Sequence, residues 1–159
     1  MSLEINNVTK SKIDEKELLR LFKRAINVLK LKSAGVSLAF ISELEIKKLN
    51  KIYRGRDKVT DVLSFGTRDT KKANFPEQSL EKDFLGEIVI CVKFAETKIY
   101  DFENLLLRSS TSLRKPDLKT VINRLFVHGF AHLVGYDHEK SEKEAVEMEK
   151  LEEKILNRD

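Results

Sequence analysis

The only histidines in this 159-residue chain are His128, His132 and His138, and all three fall inside one run, VHGFAHLVGYDH. Imidazole ligates metals and exchanges protons near neutral pH, so the clustering narrows the chemistry at once. Residues four apart share a helical face, about 6 Å apart along the axis. His128 and His132 can therefore present two rings to one ion. Gly135 follows them, and glycine ends helices because it enters the left-handed conformation without a Cβ clash. A chain that turns back at Gly135 brings His138 to the same point. Three neutral imidazoles leave one position of a tetrahedral zinc ion open, which is the pattern of a catalytic site rather than a closed structural one. A single histidine on an apolar helix face is more often a hydrogen-bonded core residue. The pair at four-residue spacing, with a third member beyond a helix-ending glycine, favours the metal.

The same spacing is the frame of the metzincin zinc proteases, H-E-x-x-H-x-x-G-x-x-H. Where that frame has its glutamate, this chain has Gly129. A glycine cannot take a proton from an attacking water, so a peptidase mechanism loses its general base. Asp137 is close in sequence, but a turn-stabilising or ligand-supporting role suits it at least as well.

The elements that must position these residues follow from periodicity and capping signals. Residues 2–8 alternate as a first strand. Asp14 with Glu17 resembles a capping box, and Leu18, Phe22, Ala25, Ile26 and Leu29 follow at helical spacing, predicting a helix over 15–31. Val36 to Ile41 reads as a strand. Ser42 with Glu45 is a second capping box, opening a helix through Leu44, Leu49 and Ile52. After the polar stretch 53–58 come a strand from Val59 to Phe65, a long loop over 66–83, a buried strand over 86–91 and a helix from about 93 to 107. Long loops inside a compact domain are often functional. Pro116 suits the first turn of the next helix, on which Val121, Leu125, His128 and His132 form one stripe continuing its core-facing side. Ser141 with Glu144 caps a last helix whose apolar side is Ala145, Met148, Leu151 and Ile155. Strands and helices are too few and irregular for a doubly wound sheet. The expectation is a single α+β domain over 1–159, with a mixed sheet of about four strands covered by helices. The metal site would lie at the C-terminal end of a helix packed on that sheet.

Composition sets bounds on this reading. Hydrophobic residues at 41% and charged residues at 35% suit a globular chain with a real core. One cysteine, Cys91, excludes an internal disulfide framework, and this points to a reducing, cytoplasmic setting. No apolar run approaches the ~18 residues of a membrane span, and the opening MSLEINNVTK lacks a signal peptide's apolar stretch. Association with a membrane is not expected. A formal net charge of +4 is only a mild bias toward polyanions.

Three segments, in order, carry a resemblance. His128-Gly129-Phe130-Ala131-His132-Leu133-Val134-Gly135-Tyr136-Asp137-His138 resembles the signature H-G-x-L-H-L-x-G-Y-D-H of the YbeY family, bacterial metal-dependent endoribonucleases linked to ribosomal RNA maturation. The stretch from Tyr53 through Arg54, Asp57, Thr60 and Asp61 to Phe65 resembles the family's Y-R-x-x-D-x-x-T-[ND]-V-L-S-F-P. Leu85-Gly86-Glu87-Ile88-Val89-Ile90 resembles its L-G-D-[IV]-x-I strand. The departures are Ala131 for leucine, Gly66 for proline and Glu87 for aspartate, none of which removes a ligand.

The resemblance implies one zinc ion per chain held by His128, His132 and His138, with Arg54 and His128 as catalytic residues. It further implies a single-strand-specific endoribonuclease acting in 16S rRNA 3′-end maturation and ribosome quality control. Its partners would then be ribosomal RNA and the small ribosomal subunit. Arginine's planar, permanent charge suits a phosphate and the extra charge of its transition state. Without the resemblance Arg54 would read as a solvated surface charge. Arg56, Lys58, Arg114, Lys115 and Lys119 are candidates for the RNA backbone, each equally readable as a solvated charge. Two other readings stand beside this one: a metal-dependent hydrolase of another substrate, such as a metzincin-like peptidase, and a non-enzymatic ribosome-assembly factor in which zinc only fixes the fold.

Overall fold

The computed structural model describes residues 1–67, 83–99 and 116–157. Its first strand, β1 (Ser2–Asn7), leads to α1 (Glu15–Val28), where the Asp14 carboxylate accepts the Glu17 amide at 3.0 Å. This cap satisfies one of the amides a helix start leaves unpaired. The helix stops three residues short of the predicted end. Lys30 takes φ 53°, and the amides of Lys30 and Leu31 close back on the Asn27 and Ile26 carbonyls. That is a Schellman stop built without glycine.

After β2 (Gly35–Phe40), α2 (Glu43–Arg54) starts at a full capping box, with Ser42 and Glu45 each accepting the other's backbone amide. Its buried residues are Ile46 and Asn50, while Leu44 and Ile52 stand in solvent at 64% and 71% exposure. The stripe expected through Leu44, Leu49 and Ile52 is thus rotated. Asn50 turns inward because its side-chain amide donates to the Lys58 carbonyl at 2.8 Å, while its backbone carbonyl accepts the Arg56 amide. A buried side-chain amide that is hydrogen-bonded costs little. It ties down the loop that the sequence reading began as a strand at Val59.

Strand β3 (Val62–Gly66) begins only after the Asp61 carboxylate has accepted the Val62 amide at 3.0 Å. It is followed by β4 (Phe84–Ile90) and by a helical segment over 92–99, α3. The remainder of the helix expected to 107, and residues 68–82 of the expected loop, lie outside the described residues. Asp117, not Pro116, governs the start of α4 (Leu118–Leu133), accepting the Thr120 amide at 2.7 Å. Pro116 therefore precedes the cap instead of occupying the first turn. Ser141 caps α5 (Glu142–Leu156) as the sequence indicated.

The four strands form one mixed sheet in the order β1-β2-β4-β3. The first three run parallel, and β3 is antiparallel to β4 at the edge. This is the α+β architecture expected. On one face, Val36, Leu38 and Phe40 of β2 and Ile88 and Ile90 of β4 join buried residues of α1, α4 and α5. On the other, Ala39, Leu63, Val89 and Cys91 form a smaller cluster with Ile46 of α2. The alternation along each strand allots its side chains to the two layers. The result places α4 across β3 and β4, with α5 beside it.

Candidate metal centre

The apolar side of α4 comprises Ile122, Leu125, Phe126, Phe130 and Leu133 among its buried residues, with Phe130 edge-on to Phe22 of α1 at 6.1 Å. The histidines do not continue that side, as the sequence reading had them. His128 and His132 are half-buried, on a flank of the helix beside its core-facing side. Phenylalanines so close in sequence can fill the core only if the imidazoles are turned aside, because the two sets lie at different angles around the axis.

Between the two histidines, Gly129 lets the helix touch the sheet. A Cβ there would stand 2.8 Å from Cγ2 of Ile88 and 3.0 Å from Oγ of Ser64. Any side chain at 129 would collide with β4 and β3. The missing glutamate therefore has a steric cause: its place is occupied by the sheet.

The helix ends as the glycine predicts. Gly135 has φ 101°, its amide donates to the His132 carbonyl, and the Tyr136 amide donates to the Ala131 carbonyl. This Schellman pair reverses the chain. Asp137 then accepts the Glu139 amide at 2.9 Å, which holds its carboxyl below the usual range and makes it a turn-former. His138 comes back over the end of α4, its ring centroid 5.2 Å from those of both His128 and His132.

One nitrogen from each of the three rings lies within 4.8 Å of the others, and the Nε2 atoms of His128 and His132 are 3.2 Å apart. With Zn–N bonds of about 2 Å, two ligands of a tetrahedral ion stand roughly 3.3 Å apart. The donor set therefore fits a zinc-sized divalent ion. Burial, and then the neighbouring His128 and His138, push the pKa of His132 down. That favours the neutral ring a metal requires.

A residue the sequence reading missed completes the cluster. Glu152 of α5 places Oε1 2.8 Å from Nδ1 of His128. The available signal was weak, because Glu152 is one of several glutamates in a charged helix and nothing in the sequence fixes the angle between α4 and α5.

Arg54 enters from the far end of the sheet layer. It is the last residue of α2, exposed, and Gly55 at φ 67° with the Asn50 tether turns the chain away just after it. An open cleft of about 360 Å³ is lined by Arg54, Ser64, His132, Tyr136, His138 and Lys140, among others. The structure thus brings Arg54 to the same cleft as His132 and His138, with His128 joined to them through the histidine cluster. It leaves Lys119 elsewhere, near the start of α4 and paired with Asp14 at 2.8 Å. Arg56 and Lys58 are exposed on the loop after Arg54. Arg114 and Lys115 lie outside the described residues. Of the departures from the family pattern, Gly66 pairs with Gly86, where a Cβ would stand 2.2 Å from the Phe65 carbonyl oxygen. Glu87 is half-buried opposite Phe65, and burial pushes its carboxyl up.

This constellation can bind a divalent ion and offer a guanidinium across a cleft to an anionic group near it. Comparison with known proteins agrees. The family model described as Endoribonuclease YbeY matches residues 4–158. A curated protein named Endoribonuclease YbeY from Alkaliphilus metalliredigens is 36% identical over 98% of this chain and 94% of its own length. One of the same name from Desulforamulus reducens is 34% identical, over 99% and 97%. Another, from Thermodesulfovibrio yellowstonii, is 40% identical over 77% of this chain and 65% of its own length. The solution structure of TM1509 from Thermotoga maritima superposes with a TM-score of 0.56 at 27% identity, covering 97% of this chain and 89% of that one. With this match along nearly its whole length, and with Arg54, His132 and His138 lining one cleft, the chain belongs to the YbeY endoribonuclease family.

Proposed function

We propose that this protein is a zinc-dependent, single-strand-specific endoribonuclease acting in 16S rRNA 3′-end maturation and ribosome quality control. The observation that carries the reading is the cleft itself, lined by Arg54 together with His132 and His138. A bound zinc ion would supply Lewis acidity toward a phosphoryl oxygen or an attacking oxygen nucleophile. His128, His132 and His138 are the residues that would hold it, as neutral imidazoles. Arg54 grips the phosphate through parallel N–H donors and neutralises the charge that grows on it in a five-coordinate transition state. Its permanent charge requires no proton exchange to do so. Ser64, which lines the same cleft, offers a hydroxyl to the same group.

Two features weigh against the other readings. Gly129 deprives a peptidase of its base, and the packing of Ile88 and Ser64 keeps a glutamate from returning. His132 and His138 open on a cleft, and His138 is exposed, whereas a zinc that only fixes a fold is closed in by four protein ligands. Ribosomal RNA and the small ribosomal subunit are the partners in this proposal, and the cytoplasm its setting. No described helix is long and apolar enough to cross a membrane.

The test is cleavage of a labelled single-stranded RNA by metal-analysed protein, beside Arg54→Ala and His128→Ala. The reading requires about one zinc per wild-type chain, with cutting that both variants lose. RNA left equally intact by zinc-loaded wild type and by His128→Ala, on free and ribosome-bound substrate alike, would overturn it and favour the assembly-factor reading.

A further inference from the structure

We propose that Glu152 is the positioning residue of the metal centre: its carboxylate fixes the tautomer and the angle of His128. The inference rests on the zinc-binding part of the function proposed above and not on the nuclease activity.

The argument begins with a ring that has two nitrogens and one task. A neutral imidazole carries its single proton on either Nδ1 or Nε2, and only the bare nitrogen can bind a metal. In His128 the nitrogen facing the other rings is Nε2, 3.2 Å from Nε2 of His132. The opposite nitrogen, Nδ1, meets Glu152 Oε1 at 2.8 Å. A carboxylate accepts and does not donate, so it draws the proton to Nδ1 and leaves the Nε2 lone pair aimed into the cluster. Hydrogen bonding to an ionised acceptor is among the stronger kinds. It also makes the ring a better electron donor.

Burial makes the contact matter. The side chains of His128 and Glu152 are 32% and 25% exposed, so the pair is partly shielded from screening. The contact joins α4 to α5 across 24 residues of chain. Beneath it, Met148, Leu151 and Ile155 of α5 are buried in the core, which sets the register that brings Glu152 up to the ring. Of the three histidines, His128 is the one with such a carboxylate among the described residues. His132 gains its order from the helix end, and His138 from the turn that follows it. Glu152 thus does for His128 what local backbone does for the other two.

The experiment compares wild type with Glu152→Gln and Glu152→Ala. Zinc affinity is measured by competition with a chromophoric chelator, and the His128 tautomer is read from long-range ¹H–¹⁵N correlations in metal-free protein. The proposal expects wild type to hold the proton on Nδ1, and Glu152→Ala to show a mixture of tautomers with zinc binding weakened roughly 10- to 100-fold. Glu152→Gln retains an acceptor oxygen in the same shape, so it should fall between the two. It also keeps the test open should Glu152→Ala fold poorly. Metal-free thermal unfolding of the Gln variant should match wild type, which separates positioning from a merely structural tie between helices. Unchanged tautomer and unchanged zinc affinity in both variants would overturn the proposal while leaving the function above intact. A wild-type protein that bound no zinc would overturn both.

Discussion

The Cβ that Gly129 lacks would lie 2.8 Å from Cγ2 of Ile88, a residue with no exposed surface. Alanine normally stabilises a helix interior over glycine by roughly 1 kcal/mol. Here the sign should reverse. Ile88 is locked between β2 and β3 and cannot retreat, so Gly129→Ala is expected to destabilise by about 1–3 kcal/mol through overpacking. Urea denaturation measures it. Adding Ile88→Val should recover part of the loss, because the colliding atoms belong to that side chain. Gly129→Glu, which restores the protease pattern on paper, should unfold the site and cleave no peptide.

Arg54 separates from the metal in a way mutation can display. It is exposed at the end of α2 and contributes nothing to the core. Arg54→Ala should leave zinc content and the unfolding midpoint unchanged while reducing RNA cleavage about 10²- to 10³-fold, the size of a lost transition-state donor. Arg54→Lys should recover little, because an ammonium cannot form the planar double contact. A variant that lost zinc together with activity would contradict this division of roles.

Metal removal should spare the fold. The described core is drawn from β2, β3, β4 and the helices, with Leu3 and Ile5 of β1 packed against it, and none of its residues is a histidine. Chelation is expected to abolish RNA cleavage while far-ultraviolet circular dichroism persists. Zinc at a hundredfold excess over its Kd should raise stability by about 2.7 kcal/mol, which is read as a shift in Tm. His132→Ala should remove most of that shift.

Acid stability should show two opposite contributions. Asp14, Asp117 and Asp137 have folded-state pKa values below their ordinary ones: Asp14 mainly through Lys119, Asp117 through Thr120, and Asp137 through the Glu139 amide. Their stabilisation is complete above the unfolded carboxylate pKa and disappears as pH falls through the lower folded values. Glu87 has the reverse sign. Burial raises its pKa, so the charged form is penalised in the folded protein, fully above the raised value and not at all below the unfolded one. Glu87→Gln is therefore expected to be more stable than wild type at pH 7, with the advantage vanishing toward pH 4. Denaturation midpoints at the two pH values check it.

Some of this was legible in the sequence and some was not, for physical reasons. Capping residues act locally, so Asp14, Ser42 and Ser141 mark helix starts correctly. Glycine's freedom is likewise local, and Gly135 marks both the end of α4 and the return of His138. The end of α1 was illegible because Lys30 takes a left-handed conformation that its residue type does not advertise. The buried face of α2 was misjudged because Asn50, a polar residue, points inward to hold the loop after Arg54. The histidines were placed at the right point but on the wrong side of α4, since periodicity alone cannot tell a core stripe from the flank beside it. Glu152 reaches the site only through the docking of α5 on α4, and no local signal encodes that.

The residues around the cleft have different histories during synthesis. The histidines and Glu152 sit together on α4, the turn after it and α5, whereas Arg54 and Ser64 belong to segments made much earlier, and α4 meets that part of the chain through its packing on β3 and β4. On the proposed reading, a nascent chain has no metal ligands until its last helices are made, and a partly unfolded one that gathers a metal still has no aligned phosphate clamp. RNA cutting would then be confined to molecules whose sheet has closed, a built-in restraint in a cell whose own transcripts are everywhere within reach.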